Sequence, residues 1–235
     1  MAFAAPTPAY AGPPFITDDP EPVDLGHWEV YAFSAATQMK GDFGGTFVGT
    51  EVNYGAAPNL QLHIIVPLAF DARSGSPMQA GIGDIELGAK YRIVDTDGLQ
   101  IGVFPLLEVP TGDAKLGLGD GYTRGFFPVW VQKDFGHWTS YGGGGYWSNP
   151  GPGNRNYWFA GWLLQYQCTD NLALGGELFH QTAATIGGKD TTGFNLGGIY
   201  DFTEHYHLLF SAGRGIQNIS NSSEFSYYLA IQWTG

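Results

Sequence analysis

The feature that most constrains this chain is strict two-residue alternation. In "GDIELGAKYRIV" (83–94), Asp84, Glu86, Lys90 and Arg92 share one parity with Gly88, while Ile85, Leu87, Ala89, Tyr91 and Ile93 share the other. Successive side chains of a strand point to opposite faces, so this segment is a strand with one ionic and one apolar face. The pattern recurs. Leu60, Leu62, Ile64, Val66, Leu68 and Phe70 oppose Gln61 and His63, and Leu99, Ile101, Val103, Pro105 and Leu107 oppose Gln100 and Glu108. Leu172, Leu174 and Leu178 oppose Glu177 and Gln181, and Phe194, Leu196 and Tyr200 oppose Asn195 and Asp201. A soluble barrel buries the apolar set and wets the polar one. A barrel in a membrane inverts this, with lipid outside and polar groups facing a lumen.

Segments of this kind follow one another without a helical interlude, near 27–39, 44–55, 59–71, 82–94, 98–109, 122–134, 137–147, 156–168, 171–183, 191–202, 205–215 and 224–233. Short turns ("AAPN", "DTDG", "DFGH", "CTDN", "FTEH") alternate with mostly longer links, the longest being "PTGDAKLGLGDGY" (110–122). These features predict an all-β, antiparallel, up-and-down transmembrane β-barrel of about 12 strands, with short periplasmic turns and longer extracellular loops. Two further features favour the membrane over a soluble lipocalin-like carrier. Aromatics gather at strand ends (Tyr54, Tyr91, Phe135, Trp138, Trp147, Tyr157, Tyr166, Tyr200, Phe202, Tyr206), as an interfacial girdle requires. The chain also stops on an alternating strand, Phe225, Tyr227, Leu229, Ile231 and Trp233. It resembles the C-terminal signal that outer-membrane proteins present to the barrel-assembly machinery.

Composition excludes other classes. Gly supplies 36 of 235 residues and charged residues only 14%, against a typical quarter or so, which is the reverse of a disordered chain. Ten Lys plus Arg against a net charge of −12 leave no basic surface for nucleic acid. A single Cys168 forms no internal disulfide. No apolar run reaches the roughly 18 residues of a helical span. Residues 1–11 read as a signal-peptide remnant, since "AYA" (9–11) has the small-x-small form of a cleavage site; a flexible tail is the other reading. Residues 12–26, rich in Pro and acid, form an extended leader or a lumen plug, and 27–235 the barrel.

In this frame Glu29, Glu51, Asp84, Glu86, Lys90, Arg92, Glu108, Arg124 and Glu177 form a lumen-facing polar network. It either staples the lumen shut or lines a path for solute. The leader's Asp18, Asp19 and Glu21 are candidate plug residues, meeting Lys90, Arg92 or Arg124. Pro67, Pro105 and Pro128 lie inside expected strands and each removes a ladder hydrogen bond, making them candidate wall kinks. The segment 115–121 lacks the Lys-Ser/Thr and helix of a phosphate loop and reads as a flexible loop, or a weak calcium site using Asp113 and Asp120. His205 and His207, with Glu204 nearby, lack a third metal ligand at a recognised spacing. A hydrolase requires His180 to meet Ser211 or Ser226.

"PPFITDDPEPVDLGHWEVY", "EVNYGAAPNLQLHIIVP", "GDIELGAKYRIV", "PLLEVPTGD" and "GFNLGGIYDFTEHYHLLFSAGRGI", in this order from about residue 13 to the C-terminus, resemble the outer-membrane family named for the MetA pathway of phenol degradation. The resemblance implies a bacterial outer-membrane barrel associated with uptake of aromatic or other hydrophobic compounds, and assigns no catalytic or binding residues. The expected function is passive uptake of small hydrophobic or aromatic compounds, with outer-membrane lipid and a small-molecule solute as partners and no cofactor. The alternatives are a structural or surface barrel with a closed, charge-filled lumen, and an outer-membrane hydrolase.

Overall fold

The structure, a computed structural model, describes residues 13–219 and 223–235; the signal-peptide reading of 1–11 lies outside them. The described residues contain fourteen strands. They are β1 (Trp28–Met39), β2 (Asp42–Ala57), β3 (Leu60–Arg73), β4 (Gln79–Ile82), β5 (Ile85–Thr96), β6 (Leu99–Val103) and β7 (Leu106–Val109). The second half supplies β8 (Arg124–Phe135), β9 (Trp138–Ser148), β10 (Tyr157–Thr169), β11 (Leu172–Gln181), β12 (Thr191–Asp201), β13 (Tyr206–Gln217) and β14 (Phe225–Thr234). β4 and β5 both pair with β3, while β6 and β7 both lie between β5 and β8. Each of these pairs is one stave with an interruption, so the wall has twelve staves. It closes where β1 pairs antiparallel with β14, from Glu29↔Thr234 to Gln38↔Phe225. Closure pairs the first stave with the last, as sheet in hydrocarbon requires, and only the short β4 pairs on one flank alone among the described strands.

Local chemistry sets the turns. Asp97 and Gly98 take φ of 45° and 71°, the left-handed pair that an Asp-Gly hairpin supplies. The two split staves have sequence causes as well. The Gly83–Asp84 dipeptide separates β4 from β5, and Pro105 lies between β6 and β7.

The ionic face of residues 83–94 is the inside. Glu86 and Lys90 are 6% and 5% exposed, while Leu87 and Ile93 on the opposite parity are 42% and 59% exposed. Leu62, Ile64, Val66 and Leu68 on β3 and Leu229, Ile231 and Trp233 on β14 are likewise exposed. Such a belt has no partner in water and suits lipid. Trp28–Tyr54 and Trp138–Tyr166 pack as tilted ring pairs at the short-turn end, consistent with an aromatic girdle.

Two expected girdle residues are corrected. Trp147 and Tyr157 are 1% and 3% exposed and lie in the lumen. Each sits beside another aromatic of opposite parity, so it is the partners Tyr146 and Trp158 that face outward and pack together, with centroids 5.1 Å apart. The pairing Tyr157↔Trp147 places both inner rings at one level. The lumen is therefore less uniformly polar than alternation alone implies. Phe104, Leu106, Phe126, Trp130, Trp147, Tyr157 and Phe159 form one buried cluster on the β6–β10 side.

Candidate functional site: a lumen shared by an inner arm and a cavity

The segment before β1 runs inside the barrel. It turns in at the short-turn end, where Leu25 bridges Gly55, and its Phe15, Thr17, Asp18 and Pro20 are fully buried. Its prolines and acids keep it extended, so its backbone groups require partners from the wall. Glu177 on β11 supplies two: its carboxylate accepts the N–H of Ile16 at 2.9 Å and of Thr17 at 2.8 Å, and a further hydrogen bond from Asn195 at 2.6 Å. Val23 donates to the Gln61 side chain at 3.0 Å, and Ser211 donates to the Pro14 carbonyl. Phe15 completes a small apolar cluster with Tyr141 and Leu163. Gly161 makes this approach feasible, because a Cβ there would overlap the Thr17 hydroxyl.

Charge fixes the arm at mid-lumen. The Lys90 ammonium lies 3.0 Å from Asp18 and 3.2 Å from Asp19, and 5.1 Å from the centre of the Phe104 ring. Such a buried group requires these partners, since an uncompensated charge there is costly. Glu21 accepts long hydrogen bonds, both 3.4 Å, from Gln100 and Gln132. Neither Arg92 nor Arg124 meets an arm carboxylate through any of these contacts. Arg92, near the short-turn end, bonds Asn59, Gln100 and Asp95, and Arg124 sits toward the opposite mouth.

The other network residues divide into two groups. Near the arm, Tyr31 donates to Glu29 at 2.7 Å and Asn53 to Glu51 at 2.9 Å, while His63 spans from Asn53 (2.7 Å) to Glu86 (3.0 Å). At the long-loop mouth, Arg124 binds Glu108 at 2.9 Å, Asp120 at 2.6 Å and the Tyr157 hydroxyl at 2.9 Å, with its guanidinium 4.7 Å from the Trp147 ring centre. Asp84 does not cross the lumen. Its carboxylate accepts the N–H groups of Gly112 and Asp120, at 2.9 and 2.7 Å, and so pins the loop of residues 110–123, whose Leu118 is buried against Gly81 and Gly83.

Between the arm and the staves β1–β3 and β12–β14 lies a cavity of about 420 Å³ that reaches the short-turn mouth at Trp28 and Gly235. Its lining holds Asp18, Asp19, Glu21, Asp24, Glu29 and Glu51 against one Lys or Arg, Lys90. A smaller cavity of about 90 Å³ lies toward the long loops, between β2–β5 and Leu118–Asp120.

The three prolines differ in their surroundings. Pro67 faces Gly49, one residue from a bulge between Thr46 and Val48 on β2. On its other flank β3 pairs Ile65 with Glu86 but Leu68 with Ile82, three steps on one stave against four on the other. Register holds on both sides of Pro105, from Tyr91↔Val103 to Gly88↔Leu106, and Pro128 stays in step with Gly145.

The remaining candidates have other partners. His180 bonds Thr192 at 2.9 Å, while Ser226 donates to Asn195 at 3.3 Å, so neither Ser211 nor Ser226 is activated by His180. His207 bonds Asp201 and Thr234, and His205 the Thr234 carbonyl. Asp120 turns to Arg124 and Asp113 caps the N–H of Lys115, so the two do not converge as calcium ligands. Sequence reading missed the role of Glu177 in holding the arm and the inward-facing aromatics. For Trp147 and Tyr157 parity carried no signal, because each has a second aromatic beside it.

No protein-family model matches the chain, and no curated relative matches it. Solved structures do. An outer membrane channel from Pseudomonas putida F1 matches with a TM-score of 0.71 at 19% identity, over 92% of this chain and 98% of that one. The NanC porin matches at 0.63 with 10% identity, over 88% of this chain and 98% of its own. The KdgM porin covers the same shares at 0.60 and 10% identity. The shared property is the fold, that of bacterial outer-membrane barrels, and the apolar belt described above is the surface such a barrel presents to a bilayer.

Proposed function

We propose that this chain is a passive outer-membrane channel for small hydrophobic or aromatic compounds, narrowed by the inner arm. One observation carries the reading: a cavity of about 420 Å³, bounded by Tyr31, Phe33, Phe104 and Tyr228 as well as by acids, opens on one mouth of a barrel. A volume of that order suits a small organic molecule, and aromatic walls suit an aromatic one. The fold neighbours that are channels and porins support the same reading, as does the resemblance noted from sequence. The rival of a purely structural barrel draws on the packed aromatic cluster, yet that cluster fills only the β6–β10 side. Insertion through the C-terminal strand by the barrel-assembly machinery belongs to the same proposal.

The lining also implies a sign. A KdgM porin structure is described as a complex with oligogalacturonate, a polyanion. Here six carboxylates face one lysine in the cavity, a field that repels anions and concentrates cations. In planar bilayers under a KCl gradient, the reversal potential is expected on the potassium side, with cations favoured by about threefold or more. Benzylamine should alter the current more than benzyl alcohol, and benzoate least. Anion selectivity, or benzoate as the strongest modifier, contradicts the proposal.

A further inference from the structure

The two cavities have two lining residues in common, Phe33 on β1 and Ile65 on β3. Both side chains are buried, at 4% and 7% exposure, in a cluster with Tyr31, Leu209 and Tyr228. Phe33 is held in place from two sides. Its ring stacks on Tyr228 at 5.6 Å with 15° between planes, and its far end covers Gly49, where a Cβ would overlap it. The larger cavity reaches these residues from the short-turn mouth, and the smaller one from beneath Leu118. The arm's Phe15 packs with Tyr141 and Leu163, and the aromatic cluster lies on the β6–β10 side, away from these two residues.

From this geometry we infer that the permeation route is off-axis, along β1–β3, and that Phe33 with Ile65 forms its apolar constriction and sets its size limit. The inference rests on the channel reading above and names the residues that control it. An apolar neck between an acid-rich larger chamber and a smaller, mostly apolar one disfavours a continuous water column. Small ions therefore cross it poorly, while an apolar or aromatic body exchanges contacts with the Phe33 ring as it passes. Turning or removing that ring merges the chambers. The acids on either side, Glu51 and Asp18 below and Glu86 and Glu108 above, attract solute to the neck without filling it.

The test compares single-channel conductance of the intact protein with Phe33→Ala and with Trp130→Ala, which removes a larger buried ring from the packed β6–β10 side. Heat-modifiable mobility establishes folding of each variant. Phe33→Ala is expected to raise conductance at least threefold and to admit larger polyethylene glycols, with Trp130→Ala close to the parent. A second variant avoids the void: Phe33→Cys in a Cys168→Ser background should lose current on reaction with a charged thiosulfonate, and Trp130→Cys in the same background should not. If the parent conducts but Phe33→Ala leaves its current unchanged, or Trp130→Ala raises it as much, the route is wrong while the channel stands. If neither the parent nor any variant conducts, both fall together.

Discussion

Replacing Lys90 with Ala is expected to release the inner arm. The ammonium lies within 3.2 Å of both Asp18 and Asp19, and the Asp18 side chain is wholly buried. Removing one partner of a buried ion pair costs about 3–5 kcal/mol, because the other charge is left in a poorly solvated place. At 1.4 kcal/mol per factor of ten, the arm-out population rises roughly 100-fold or more. The hydrogen bonds from Ile16 and Thr17 to Glu177 remain, but they hold only the far end of the arm. A protease that cleaves at Asp should then cut at Asp18 or Asp19 in folded Lys90→Ala and leave the parent intact, since cleavage follows the open population when opening is fast. Equal protection of parent and variant contradicts this account of what holds the arm.

Arg124→Ala should produce the largest loss of barrel stability among the charged residues. This side chain bonds Glu108, Asp120 and Tyr157 at 2.6–2.9 Å and lies over Trp147. Its removal strands Glu108 in the lumen and frees the loop of residues 110–123, so the expected cost is about 3–5 kcal/mol in urea unfolding from detergent. Arg124→Lys should recover less than half, because a point charge cannot reach several partners in the guanidinium's plane. Arg92→Ala is the contrast. Its acidic partner Asp95 is 3.3 Å away with a side chain 56% exposed, and such pairs contribute about 0–1 kcal/mol. Equal losses for Arg92→Ala and Arg124→Ala would refute this ranking.

Most of the wall was legible because a half-buried strand writes its two faces at alternate residues. That rule places Glu86, Lys90 and Glu177 inside and Leu87, Ile93 and Leu178 outside without reference to any partner. It does not say how deep a residue lies, nor what crosses the lumen to meet it. So Lys90 and Arg124, equal in sequence, differ in fact: one meets the arm's Asp18 and Asp19, and the other Glu108 and the loop's Asp120. The rule also fails where two aromatics are adjacent. In "YW" (146–147) and "YWF" (157–159) either parity gives an aromatic outer face, and only register with neighbouring strands decides that Trp147, Tyr157 and Phe159 turn inward. Glu177 shows a third limit. Its principal partners are backbone N–H groups of a segment 160 residues away in sequence, which no side-chain pattern records.

The most direct test of a solute path narrowed from within is the planar-bilayer conductance of the protein before and after deletion of residues 12–24. With the arm gone, the polar sides of Lys90, Glu177 and Gln61 face open lumen, and conductance is expected to rise at least threefold while the heat-modifiable mobility of a folded barrel persists. A deleted protein that is folded yet conducts no better than the parent, or seals as tightly as bare lipid, contradicts the account.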